Sequence, residues 1–150
     1  MSSELEVVSV NVSKAKGTVK APAGRVELNS GGIVGDAHAG VWHRQVSLLG
    51  QASIDRFSAE VGRAVKPGEF AENLTVRGVD LAGAAVLDRF QIGDVELEVT
   101  QIGKECHKKC AIYYLAGDCI MPKEGIFARV LKGGIIRPGD AIHMEKEEPA

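Results

Sequence analysis

Aromatic side chains, cysteine, proline and long apolar runs are all scarce in this chain. Its 150 residues include four Phe, two Tyr and one Trp, dispersed rather than clustered. Lys and Arg number 18 against 20 Asp and Glu, a formal net charge of −2, and the basic residues are scattered. A nucleic-acid groove needs a basic stripe interleaved with stacking rings, so nucleic acid is not an expected partner. Three cysteines are an odd number and too few for a disulfide scaffold at this length, which points to reduced thiols and a cytoplasmic setting. No apolar run approaches the roughly 18 residues of a membrane span, so no membrane association is expected. The opening residues Met1-Ser2-Ser3-Glu4-Leu5-Glu6 lack the basic and apolar regions of a secretion signal. No repeat, low-complexity stretch or linker divides the chain, which reads as a single domain over 1–150, its core about 5–145, with a polar tail expected to fray.

Glycine, by contrast, is abundant: 18 residues, against an ordinary share of about 7%. Gly35-Asp36, Gly93-Asp94, Gly117-Asp118 and Gly139-Asp140 repeat one turn signal, reinforced by Arg137-Pro138 before the last. Between the turns lie strand patterns. The stretch 6–12 is valine-rich, and 95–102 alternates with Val95, Leu97, Val99 and Gln101 on one face. Residues 126–131 and 141–144 read as closing strands. One helix is expected over 51–61, with Ile54, Phe57, Ser58 and Val61 on one side and Gly62 as its stop. A second helical turn is expected around 110–115. The fold class is therefore mainly β, a compact barrel-like domain with one or two peripheral helices.

All three cysteines fall late in the chain. Cys106 stands in Gly103-Lys104-Glu105-Cys106-His107-Lys108-Lys109-Cys110, where three lysines outnumber one glutamate, and Cys119 follows. A thiol reacts as its thiolate, and neighbouring cations lower its pKa. Attack, sulfur carriage and metal ligation are all open to such a sulfur. The three cysteines with a histidine form one candidate zinc set, although their spacing differs from the usual paired knuckles. A protease-type nucleophile would need one of His38, His43, His107 or His143 beside it. Cys119, next to Ile120 and Met121, reads first as a small core residue, and Cys110 reads equally as one.

Two further clusters are polar. Gly31-Gly32-Ile33-Val34-Gly35-Asp36-Ala37-His38-Ala39-Gly40 is followed by Arg44-Gln45-Val46-Ser47, and Gly68-Glu69-Phe70-Ala71-Glu72-Asn73-Leu74-Thr75 leads into a strand. Closely spaced glycines let backbone N–H groups approach an anion, and an arginine grips a phosphate in bidentate fashion. Neither stretch is a Walker loop or a dinucleotide fingerprint. Read alone, the first is a tight turn with solvated polar residues, and Asn73 caps a turn.

Taken in order, 32–38, 44–49, 68–75, Gly93-Asp94, the strand ending at Thr100-Gln101, Cys106 and 125–140 resemble the successive motifs of the MOSC domain, the C-terminal domain of molybdenum cofactor sulfurases. The resemblance implies a β-barrel-like fold and a role in handling the molybdenum cofactor or activated sulfur. It maps the family's cysteine onto Cys106, which would carry sulfur as a persulfide or ligate molybdenum. It places His38, Arg44, Asn73 and Lys104 in the molybdopterin cleft, with Arg44 and Lys104 toward the phosphate. Glu105 stands where the family usually has proline and moderates the basic window. Cys110 and Cys119 depart from the family pattern as possible redox partners of Cys106. The pyridoxal-phosphate desulfurase domain of full-length sulfurases has no counterpart in 150 residues, so pyridoxal phosphate is not expected here. A separate cysteine desulfurase, or a molybdoenzyme, would be the protein partner. Two other roles share the motifs, a cofactor carrier without chemistry of its own and a component of a molybdenum-dependent reductase.

Overall fold

The computed structural model describes residues 4–14, 19–37, 39–40, 45–62, 64–78, 81, 83–103 and 125–146. The strands in order are β1 (Glu4–Val12), β2 (Ala21–Ala23), β3 (Val26–Asn29), β4 (Gly32–Ile33) and β5 (Val46–Gly50). The helix α1 (Gln51–Val61) follows, then β6 (Leu74–Arg77), β7 (Arg89–Ile92), β8 (Val95–Ile102), β9 (Ile126–Lys132), β10 (Gly134–Ile136) and β11 (Ala141–Glu145). Seven of these close into a barrel in the order β11-β7-β8-β9-β5-β6-β1, sealed where β1 pairs back onto β11. Closure removes the open edges that an eight- or nine-residue strand would otherwise expose. β2 extends the sheet beside the end of β1, and β10-β3-β4 form a separate small sheet.

The barrel wall is antiparallel except for β5 and β6, which run parallel. A parallel pair cannot be joined by a tight hairpin. The chain therefore leaves β5 through α1 and returns to β6 through the turn at 66–73. Gly62 ends the helix in the left-handed region (φ 74°), its N–H donating to the Ser58 carbonyl at 3.0 Å. Ile54 and Phe57 are buried as their spacing requires, whereas Val61 is 43% exposed. The helix is narrow on its apolar side because it covers only one patch of the wall.

Strand alternation sorts the side chains into two cores. Val46, Leu48, Leu74, Val76, Leu97, Val99, Phe90, Ile126 and Ala128 belong to the inner cluster. Leu49 and Phe127 point the other way, joining Ile54, Phe57, Val65, Phe70 and Ala71 beneath the helix. Phe57 and Phe70 meet edge to face with centroids 5.0 Å apart. In β8, Val95, Leu97 and Val99 face inward as the pattern predicts. A register shift between Val99 and Gln101 takes Gln101 off that face, because a bulge breaks the two-residue period. The turn glycines Gly35, Gly93 and Gly139 all have positive φ. The helical turn expected around 110–115 and the Gly117-Asp118 turn lie outside the described residues. Among the described residues no helix is long and apolar enough to cross a membrane.

Candidate functional site

Of the residues assigned to the cofactor cleft or the cysteine site, Asn73 alone is described; His143, one of the histidines of the nucleophile alternative, is described as well and is exposed on β11. His38, Arg44, Lys104, Cys106, Cys110 and Cys119 lie outside the described residues, as do the thiols of the zinc alternative. Among the described residues no cluster of His, Cys, Asp or Glu could hold a metal ion. What the structure defines is the framework from which those side chains extend.

Asn73 is fully buried at the start of β6. Its Oδ1 accepts the Ser47 N–H at 3.0 Å and the Ser47 hydroxyl at 3.2 Å. Its Nδ2 donates to the Asn11 carbonyl at 3.1 Å. The main chain runs in parallel, with Asn11 N–H donating to the Asn73 carbonyl at 2.7 Å and Asn73 N–H to the Ser47 carbonyl at 3.0 Å. Asn73 therefore braces three chain segments; a simple turn cap would serve only one. Ser47 is the ladder partner of Phe127, and Phe127 of Gln101. One row, Asn11–Asn73–Ser47–Phe127–Gln101, thus crosses from β1 to the end of β8. There Gln101 Nε2 donates to the Gly103 carbonyl at 2.7 Å, and Gly103 N–H to the Gly125 carbonyl at 2.7 Å. These bonds pair the two stems of the cysteine-bearing segment 104–124.

A β-bulge between Val7 and Ser9 makes this web possible. It shifts the alternation of β1 by one, so Val7 and Val10 both join the inner core while Ser9 and Asn11 face outward. Asn11 Nδ2 then donates to Thr75 Oγ1 and the Glu72 carbonyl, both at 3.1 Å, and Ser9 Oγ to Asn11 Oδ1 at 2.7 Å. The roof is the turn 68–73. Gly68 (φ 90°) lies so close to the neighbouring chain that a Cβ there would meet the Lys20 carbonyl oxygen at 2.1 Å. Only glycine fits. Ala71 also has positive φ, an unusual conformation for a residue with a side chain.

The glycine-rich stretch 31–40 is anchored where a solvated turn was expected. Asp36 is buried and its Oδ1 takes the Lys20 ammonium at 2.7 Å and the Ser13 N–H at 3.1 Å. Both charged side chains are inaccessible to solvent. Burial pulls the Lys20 pKa down from its ordinary 10.5, opposed by the hydrogen bond and charge of Asp36 and by the charge of Glu72. Gln45 holds the other end. Its Nε2 donates to the Ser30 carbonyl at 2.9 Å and the Gly40 carbonyl at 2.8 Å, while Oε1 accepts the Val130 N–H at 2.9 Å. The described residues that flank His38 in the sequence, Asp36, Ala37 and Gly40, and Gln45 next to Arg44, are therefore held by hydrogen bonds.

Lys20, Asp36, Gln45, Asn11 and Glu72 carry this framework, and the sequence reading assigned none of them a role. Gln45, Asp36 and Glu72 stand inside quoted motifs, so a signal existed, but it pointed to the motif and not to the residue. Lys20 and Asn11 lie in unremarkable context, and only their tertiary partners reveal them.

The fold agrees closely with solved structures. The YuaD protein from Bacillus subtilis superposes with a TM-score of 0.82 at 19% identity, covering 97% of each chain. YiiM from Geobacillus stearothermophilus gives 0.74 at 23% identity, covering 95% of this chain and 75% of that one. YiiM from Escherichia coli gives 0.69 at 18% identity, covering 100% and 72%. No curated protein matches this chain in sequence. The family model described as the MOSC domain matches residues 35–143, spanning the loop of Asp36, the Asn73 brace, the cysteine window and the closing strands. This chain belongs to the MOSC domain family.

Proposed function

We propose that this protein accepts sulfane sulfur on Cys106 and handles it, or the metal, for the molybdenum cofactor. Family membership carries the general molybdenum-cofactor role. The observation that supports the finer reading is the row from Asn73 to Gln101, which ties the turn at 68–73 to the paired stems of the segment holding Cys106. Such a frame fixes Gly103 and Gly125, the described residues that flank the segment holding Cys106.

In the proposed step, the Cys106 thiolate attacks the outer sulfur of a persulfide on a cysteine desulfurase. A new S–S bond forms on Cys106, the donor's S–S bond breaks, and the donor cysteine leaves as its thiolate. Lys104, Lys108 and Lys109 favour the attacking thiolate. A soft thiolate also suits a thiophilic metal, which is the chemistry the cofactor supplies when bound. Arg44 and Lys104 would hold its phosphate and His38 would line the cleft, with Asn73 acting through the brace.

Incubation with a cysteine desulfurase and cysteine, followed by intact mass, tests the reading. Wild type should gain one sulfur and Cys106→Ala none. Equal loading of both would refute it. Copurification of molybdopterin without sulfur loading would favour the carrier role instead.

A further inference from the structure

Asp36, Glu72, Asp88 and Glu98 are the buried carboxyl groups among the described residues, and Glu72 is the one with an oxygen left without a hydrogen bond. Glu72 is fully buried under the turn 68–73. Its Oε2 accepts the Gly68 N–H at 3.0 Å and the Thr75 hydroxyl at 2.7 Å. Its Oε1 has no hydrogen-bond partner at all. An ionised carboxylate seeks donors on both oxygens and a compensating charge. A carboxylic acid would place its accepting carbonyl at Oε2 and its hydroxyl at Oε1.

The surrounding charges favour the acid. Among the described residues, Lys20 is the cation that faces Glu72, from the segment between β1 and β2, with Asp36 of the β4 turn behind it. Lys20 makes no direct bond to Glu72; its ammonium is held by Asp36 and by Ser13 Oγ at 3.0 Å. Among the described residues, therefore, no cation bonds to Glu72, and ionising it would add a buried negative charge without a bonded counterion there. The β1 and β6 groups in contact, Asn11 and Thr75, are uncharged. The neighbouring Glu69 accepts the Lys66 N–H on the exposed side of the turn. Burial pushes the Glu72 pKa up from its ordinary 4.5, against the lowering pull of the Gly68 N–H, the Thr75 hydroxyl and the backbone N–H groups of Glu72 and Phe70.

We propose that Glu72 is carried as an un-ionised acid at neutral pH and is a positioning residue, fastening Gly68 to Thr75 so that the turn holds Asn73 in its brace. Ionisation puts an unpaired charge under the turn and loosens it. The row to Gln101 then slackens, and with it the stems of the cysteine segment; this last step rests on the reading of Cys106 as the reacting thiol. Because the folded value lies above 4.5, the stabilising share of Glu72 is complete below 4.5 and is lost as pH rises through the folded value.

Glu72→Gln keeps the shape, with its carbonyl at the two donors and its amide N–H₂ in place of the acid hydroxyl. An infrared difference spectrum of wild type minus E72Q at neutral pH should show the carbonyl band of an un-ionised acid. Carboxylate bands in its place overturn the proposal. Melting of the apo protein from about pH 5 to about pH 9 should show the gap between E72Q and wild type widening toward alkaline pH, and a constant gap overturns it. If E72Q does not fold, exchange of the Gly68 amide in wild type replaces it as the readout. Protection should fall at least tenfold beyond the intrinsic pH dependence as the acid ionises, and unchanged protection counts against the proposal. Sulfur loading of Cys106 should decline with alkaline pH in wild type more steeply than in E72Q. If the spectrum and melts behave as expected but neither protein loads sulfur, Glu72 keeps its role and the sulfur-acceptor reading alone fails.

Discussion

The inside of the barrel and the outer face beneath the 68–73 turn are equally buried, yet they are held by opposite means. The interior is a continuous apolar cluster of Val, Leu, Ile and Phe, in which each side chain adds a roughly independent increment of burial. The outer face buries Ser9, Asn11, Lys20, Asp36, Ser47, Glu72, Asn73 and Thr75, whose hydrogen bonds depend on one another. Apolar packing tolerates local loss in graded fashion. A buried polar web does not, since deleting one member leaves its partners desolvated and unpaired. The web borders the loop of His38, the lead to Arg44 and the stems of the Cys106 segment. The molecule thus places its brittle, specific interactions around the proposed site and its forgiving ones inside the barrel.

The largest expected effect lies in the web. Lys20→Met takes the buried ammonium away from the Asp36 carboxylate and should cost about 3–5 kcal/mol in denaturant unfolding. Adding Asp36→Leu to the same protein should recover most of that loss, because the pair itself contributes little once its desolvation is counted. A double variant as unstable as the single one would break the distinction between the two regions. The pH dependence sharpens it. The folded Lys20 value lies below 10.5, so its stabilising share is present above 10.5 and lost as pH falls through the folded value, the reverse of Glu72. Removing Lys20 and Asp36 together should therefore flatten the alkaline side of the stability profile.

Next in size is the interior. Leu97→Ala opens a cavity where the side chain is fully buried and should cost about 2–5 kcal/mol. The loss should be the same at acid and alkaline pH, as the described residues of the apolar cluster that holds Leu97 carry no titrating group. Sulfur loading per folded molecule should be unchanged. A pH-dependent loss would mean that the two regions are coupled through the wall.

The same contrast explains what could be read from the residues alone. Val95, Leu97 and Val99 announce β8 because burial on one face of a strand imposes a two-residue period. Gly62 announces the end of α1 because few other residues take its left-handed conformation. Gln101 escapes the pattern through a bulge, which depends on the partner strand. The parallel pairing of β5 with β6 is equally silent, since it rests on the return path after α1. In the site, Asn73 is legible as part of a motif but not as a brace, for its partners Ser47 and Asn11 are distant in sequence. Lys20 and Asp36 look like ordinary solvated charges until the fold buries them together. Local periodicity is written in the chain; polar partnership arises only from tertiary proximity.

Asn73→Ala tests the brace with a smaller effect. It strips the Ser47 N–H and hydroxyl and the Asn11 carbonyl of a partner, a loss of about 1–3 kcal/mol. The Ser47 amide should exchange faster than the Leu97 amide in the same variant. Sulfur loading at Cys106 should slow even where the protein is fully folded, since the row to Gln101 has lost the side-chain link between Asn11 and Ser47. Normal loading would separate the brace from the cysteine segment and remove the principal support for the proposed function.

The smallest effect is expected outside both regions. Arg77 and Glu6 form an ion pair at the far end of β6, with side chains 68% and 38% exposed. Water already solvates both groups and salt screens their attraction, so Arg77→Ala should change stability by less than about 1 kcal/mol. The shift should shrink further at high salt and leave the pH profile and sulfur loading as they are. Arg77 sits only two residues from Thr75 along the same strand, which makes it a demanding control. If this exposed pair proved as costly as Lys20 with Asp36, mere proximity to the turn would matter, and the burial of polar partners would lose its place as the cause.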